Sequence, residues 1–419
     1  MMSAACRIED FDDPAFDPFR ISAEVAGQGA ITDIYPELRR LRHNSPIHEM
    51  DPRLYFNTAT DGTLEGRRKW TVFGYPLVSR MLTRTKEFSN HNYVWNMGLM
   101  FGRSVTTMDA PEHTKYRVLF QKAFEPRMLS GWKHDLVPQI CNRLIDRFAA
   151  RGHADLVAEF ALHFPFEFVM ELLELPVESR PVFHKLAFCQ TAVRYDREHA
   201  LEAGSKLIRY IQWMIDARRG SAIGDNDFVH VLANAEVGGE AIPPIVLESF
   251  FRQLMNAAGD TSYHGFSSMM SSLLRNPDQF EAIRQDRALI PQAIEEALRI
   301  EPPICYLERS VHEPMEIEGH RIDPEDHISV CIGDANHDET MYEDPDTFDI
   351  FKTRRKHVAF GAGPHICIGQ HLARVEMEVA LNSLLDRLPN LRLNPDYPEP
   401  IVAGVSMRKP KEVQVLFDA

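Results

Sequence analysis

The stretch that decides the fold runs from Phe360 to Gly369 and reads FGAGPHICIG. It packs three glycines, one histidine and one cysteine into ten residues, just ahead of a long amphipathic segment. Gly361 and Gly363 lack the Cβ that would stop the backbone from turning tightly or approaching a flat ligand. Cys367 stands at the mouth of the expected helix, whose open N–H groups and partial positive charge favour thiolate over thiol. One thiolate does not build a structural zinc site, which takes four ligands at characteristic spacings. It does suit the single protein ligand of a haem iron.

The pattern Phe-Gly-x-Gly-x-His-x-Cys-x-Gly is matched at Phe360, Gly361, Gly363, His365, Cys367 and Gly369. It resembles the haem-binding loop of the cytochrome P450 family, the haem-thiolate monooxygenases of soluble bacterial type. The competing reading is a glycine-rich turn around an ordinary cysteine. Three such residues would favour that reading; six fixed positions favour the ligand. The resemblance implies a mainly α fold with a small β region. It also implies heme b, held between a long central helix and the cysteine loop, with Cys367 on the iron.

Working outward from the loop, IPPIVLESFFRQLMNAAGDTSYHGFSSMMSSLLRNP (242–277) predicts a helix of about 30 residues, long for a globular protein. Within it AAGDTS (257–262) resembles the family's central-helix motif. Gly259 costs helix stability, by about 1 kcal/mol relative to Ala, and so predicts a close approach or a distortion. Asp260 and Thr261 offer a carboxylate and a hydroxyl able to relay protons during dioxygen reduction. The alternative for Thr261 is a bond back to its own helix carbonyl. Ala258 stands where the family usually has Gly, which leaves the place of any helical bulge open.

The resemblance extends to other segments. MDAPEHTKYRVLFQKAF (108–124) predicts a helix capped by Asp109, with His113 and Arg117 four apart on one face. In isolation that pair is an ordinary solvated face; in the family it binds haem propionates, joined here by Arg309 and His365. Glu296 and Arg299 lie three apart in a predicted helix and match the family's structural clamp. Its usual third partner falls on Thr347, so the triad is either incomplete or closed by a neighbour, and the expectation covers the pair alone. The apolar stretch 91–104 corresponds to a lid, and the helices and loop around 177–215 to a roof over substrate. Trp95, Met97, Met100, Met255, Ala257 and Ile304 are the candidate pocket walls, each of a type that also serves as core.

Bulk properties set the remaining bounds. The formal net charge of −15 argues against a nucleic-acid partner. The N-terminus is acidic without an apolar core segment, so neither a signal peptide nor a membrane anchor is expected. Six scattered cysteines with no CxxC fit a reducing cytoplasm. The motifs must meet at one cofactor, so residues 1–419 read as one domain, with 1–30 an extended surface arm. The stretch after Cys367 is too short for a reductase, so electrons are expected from a separate 2Fe–2S ferredoxin or similar donor. The basic run TRRKH (353–357) is solvated surface or its docking site.

The expected reaction inserts one oxygen atom from dioxygen into a small-to-medium hydrophobic molecule, with a terpenoid, steroid or alkyl-aromatic skeleton as the class guess. Two rivals are carried: a peroxide-driven haem-thiolate peroxygenase, which would not need Asp260 and Thr261, and a non-catalytic haem sensor, which usually carries an output domain.

Overall fold

The long helix expected around Thr261 spans Pro244–Leu274, 31 residues, or about 46 Å at 1.5 Å per residue. In the computed structural model, residues 8–13, 15–25, 31–194, 196–220, 227–353 and 355–419 are described. Proline in its first turn starts the helix, and Pro277 opens the next one, Pro277–Gln285. Buried residues occupy most of its circumference, the mark of a helix enclosed by others. Around it pack the helices Phe164–Leu172, Arg180–Cys189, Arg197–Arg218, Ile290–Ile300 and Gln370–Arg387. The helix is α-helical throughout, with no bulge at Ala258–Gly259. Gly259 has a different job: a Cβ there would lie 2.6 Å from the Phe166 ring.

The β region is small, as expected. Its main sheet orders Ile47–Glu49, Lys69–Val72, His327–Cys331, Tyr306–Val311 and Phe88–Ser89. His327–Cys331 runs parallel to Lys69–Val72 and antiparallel to Tyr306–Val311, with Ile328 opposite Arg309. That register holds Arg309 within the sheet interior, 2% exposed. One large apolar cluster fills the helical layer, and a smaller one lies behind the sheet.

Several local expectations change. Residues 18–25 are helical rather than extended, and Ile8, Phe11 and Phe16 are buried. Phe16 stacks on His199 at 3.8 Å, so the arm is anchored by a partner far away in sequence. Its residues 1–7, 14 and 26–30 lie outside the described residues. Segment 315–322 is a hairpin in which Glu318 and Gly319 turn at φ 51 and 80°. Asp109 does not cap Glu112–Lys122 with its side chain. Its carboxylate instead takes Ser89 Oγ and, at 2.9 Å, the Asn90 N–H. Segment 91–104, the expected lid, forms short turns of helix, His91–Trp95 and Met97–Phe101.

Candidate active site

The cysteine loop is built by local hydrogen bonds. Cys367 N donates to Phe360 O at 2.8 Å, and Gly361 N to Val358 O at 2.8 Å. Gly361 and Gly363 adopt φ of 71 and 72°, where L-residues are strained. Gly363 also rests on backbone: a Cβ there would stand 2.6 Å from Leu82 O, at the end of the helix Tyr75–Thr83. Below the loop, the Arg374 guanidinium covers the Phe360 ring at 4.5 Å and binds Glu295 at 2.5 and 2.9 Å.

Cys367 keeps an accessible face although it lies deep in the protein. Burial pushes its thiol up, while the Gly369 N–H and the guanidinium groups of Arg117 and Arg374 pull it down. Burial wins. The helix-terminus argument from sequence is therefore overruled in the polypeptide itself; a coordinated metal deprotonates a thiol outright.

Beside the loop, four groups from three parts of the chain converge. The rings of His113 and His365 lie 3.9 Å apart. Arg117 Nη2 donates to Ile366 O at 2.5 Å, and Arg309 Nη1 to Glu308 O at 2.7 Å. Burial, then Arg117, takes His113 down to about 4; burial, then His113, Arg309 and Arg117, takes His365 down to about 2. Both imidazoles are thus neutral. Two guanidinium charges remain. The nearby carboxylates are engaged elsewhere: Asp109 as above, and Glu308 by Asn96 Nδ2 at 2.9 and 3.1 Å. Among the described residues, Arg117 Nε, Arg309 Nε and His113 Nε2 are buried without a hydrogen-bond partner.

On the central helix, Ala257 is exposed although it lies midway along an enclosed helix. Thr261 Oγ1 donates to Ala257 O at 2.7 Å, the back-bond that stood as its alternative. Asp260 Oδ1 is 3.3 Å from His264 Nδ1, but that nitrogen bonds the Asp260 carbonyl at 2.7 Å. Lys409 is buried and drawn down to about 8, with Asp260 and Asp155 opposing the fall. One residue further on, Ser262 Oγ donates to Glu376 Oε2 at 2.8 Å. This bond pins the Asp260–Thr261 turn to Gln370–Arg387, the helix that leaves the cysteine loop. Burial lifts Glu376 to about 8, which keeps it protonated at neutral pH. The sequence reading missed Glu376; its signal was an acidic residue inside the apolar stripe Leu372, Glu376, Met377, Ala380.

The clamp is complete, but through backbone. Glu296 and Arg299 form a buried two-pronged pair at 2.8 and 2.8 Å. Arg299 then donates to the carbonyls of Asn336, Pro345 and Thr347 at 3.0, 2.6 and 3.2 Å. Thr347 supplies its carbonyl where the expected third partner would supply a side chain. Of the pocket candidates, Met100 and Met255 are buried in the main core, and Met97 packs against it half-buried. Trp95 carries the Arg67 guanidinium on its ring at 3.4 Å, and Ile304 bridges to Met407. In the basic run, Arg354 lies outside the described residues and His357 turns inward to Glu295, 3.3 Å away. Arg355 and Lys356 are exposed.

These residues fit haem. Its two propionates match two guanidiniums with orphaned N–H groups and two neutral imidazoles, and the accessible Cys367 thiol beside them suits its iron. The fold and the loop thus define a haem-thiolate protein. Comparison with known proteins agrees: the cytochrome P450 family model matches residues 181–417. The cytochrome P450 YjiB of Bacillus subtilis (strain 168) is 31% identical over 336 residues, 78% of this chain and 84% of the relative. The 20-oxo-5-O-mycaminosyltylactone 23-monooxygenase of Streptomyces fradiae is 34% identical over 317 residues, 75% of this chain and 73% of the relative. The crystal structure of CYP109E1 from Bacillus megaterium in complex with corticosterone gives a TM-score of 0.79 at 25% identity, over 92% of this chain and 99% of that one. The chain belongs to the cytochrome P450 family. It is a haem-dependent monooxygenase of a family whose iron takes a cysteine thiolate. Among the described residues no helix is long and apolar enough to cross a membrane.

Proposed function

We propose that this monooxygenase acts as a single haem domain in the cytoplasm on a small-to-medium hydrophobic substrate, with electrons from a separate ferredoxin. The observation that carries the reading is the Ser262–Glu376 bond, which ties the Asp260–Thr261 turn to the helix leaving Cys367. Bound haem supplies dioxygen activation and insertion of one oxygen atom into a C–H bond. The chain's own residues do the rest. Arg117 and Arg309 neutralise the propionates, and His113 and His365 donate to them.

Thr261 Oγ1, donating to Ala257 O, keeps its lone pairs to accept a proton donor. Rotation about its side chain then frees its own hydrogen for donation. Asp260, whose Oδ1 is buried and unbonded among the described residues, is the neighbouring carboxylate that can accept a proton from Lys409 and pass it on. Lys409 holds a labile proton nearby. Arg355 and Lys356, exposed below the cysteine loop, suit an acidic electron donor. Relatives whose names or titles carry a macrolide intermediate and a corticosteroid support a bulky apolar substrate.

The test is turnover of an apolar compound library with ferredoxin, its reductase, reduced nicotinamide and dioxygen. Thr261→Ala should lose coupled turnover and keep turnover driven by peroxide. Equal loss under both conditions would refute the relay, and wild-type turnover with peroxide but none with reductant and dioxygen would favour a peroxygenase.

A further inference from the structure

The central helix carries a buried amide that neither packing nor oxygen chemistry employs. Asn256 is 5% exposed, and neither its Oδ1 nor its Nδ2 has a hydrogen-bond partner among the described residues. It follows Gln253 by three positions and precedes Asp260 by four, so the three share a face. Ala257, exposed midway along this helix, is its neighbour. Gln253, by contrast, is satisfied: its Nε2 donates to Thr106 Oγ1 at 2.5 Å. Burying an amide with both ends unmet is costly, and the adjoining Leu254 and Met255 are apolar and buried. A donor and an acceptor on one short side chain match a carbonyl or hydroxyl group of a ligand.

We propose that Asn256 is the polar anchor of the substrate. The substrate is then an apolar skeleton bearing an oxygen function, a ketone or an alcohol, rather than a bare hydrocarbon. This rests on the monooxygenase reading above. Asn256 precedes Thr261 by five residues, about 7.5 Å along the helix, so oxidation is expected several carbons away from the anchored oxygen.

Matched probes test this on the haem-loaded protein: cyclododecanone against cyclododecane, and 5α-androstan-17-one against 5α-androstane, with affinities from titration calorimetry. Wild type should bind each ketone about tenfold more tightly than its hydrocarbon. Asn256→Leu should erase that preference while retaining hydrocarbon affinity, and its thermal midpoint should not fall. Asn256→Ser, smaller but still polar, should keep part of the preference. The proposal is overturned if Asn256→Leu still prefers the ketones, if its thermal midpoint drops, or if wild type binds the ketones no better than the hydrocarbons or not at all. The reduced carbon monoxide spectrum separates the two layers. A thiolate-type band with no ketone preference sinks the anchor alone; absence of that band sinks the haem-thiolate reading beneath it.

Discussion

Replacing Glu376 by glutamine removes a buried proton from the contact between the central helix and the helix after Cys367. Glu376 is 1% exposed, and burial lifts it from 4.5 to about 8, only partly offset by the Ser262 hydrogen bond. The folded chain therefore holds a proton that the unfolded chain releases across this interval. Stability from this group is full below the unfolded value and is lost as pH rises through the folded one. The gap from 4.5 to about 8, at 1.36 kcal/mol per pH unit, amounts to about 5 kcal/mol. With about 2.1 cal/mol/K of unfolding entropy per residue over 419 residues, that is about 6 °C in Tm. Scanning calorimetry of wild type and Glu376→Gln from about pH 5 to about pH 8.5 checks it, because groups titrating in both proteins cancel in the difference. The variant should match wild type at the acidic end and exceed it by several degrees at the alkaline end. Parallel curves would show that Glu376 is ionised in the native protein and refute the reasoning.

Gly363→Ala should cost about 1–2 kcal/mol from the left-handed backbone alone, and its contact with Leu82 O should displace the loop and lower haem content. Gly369→Ala meets nothing nearer than Cys367 Sγ at 4.0 Å and should retain haem; equal haem content in the two variants would count against the seating of Gly363. Arg299→Leu leaves Glu296 buried and uncompensated, so destabilisation of about 3–5 kcal/mol is expected in denaturant titrations. A loss below about 1 kcal/mol would mean the clamp is replaceable. Arg117→Gln and Arg309→Gln should each speed haem transfer to a competing apoprotein about tenfold or more, since a hydrogen bond to a charged group contributes about 1.5–3 kcal/mol. Unchanged transfer would remove that arginine from the propionate site.

Cys367, its glycines and the Glu296–Arg299 spacing were legible in the chain because each is a local property: backbone freedom, one thiol, two residues on one helical face. The length of the central helix was legible for the same reason, through an apolar pattern unbroken by proline between Pro244 and Leu274. Other features needed distant partners. Gly259 reads locally as a distortion, yet it admits Phe166; Thr347 reads as a missing side chain, yet its carbonyl closes the clamp. Protonation was decided by tertiary structure alone. Neutral His113 and His365, the raised Cys367 thiol and the protonated Glu376 all follow from burial and from charges brought in by other segments. A side chain's proton affinity answers to the dielectric and the fields around it, and residue order does not contain those until the chain has folded.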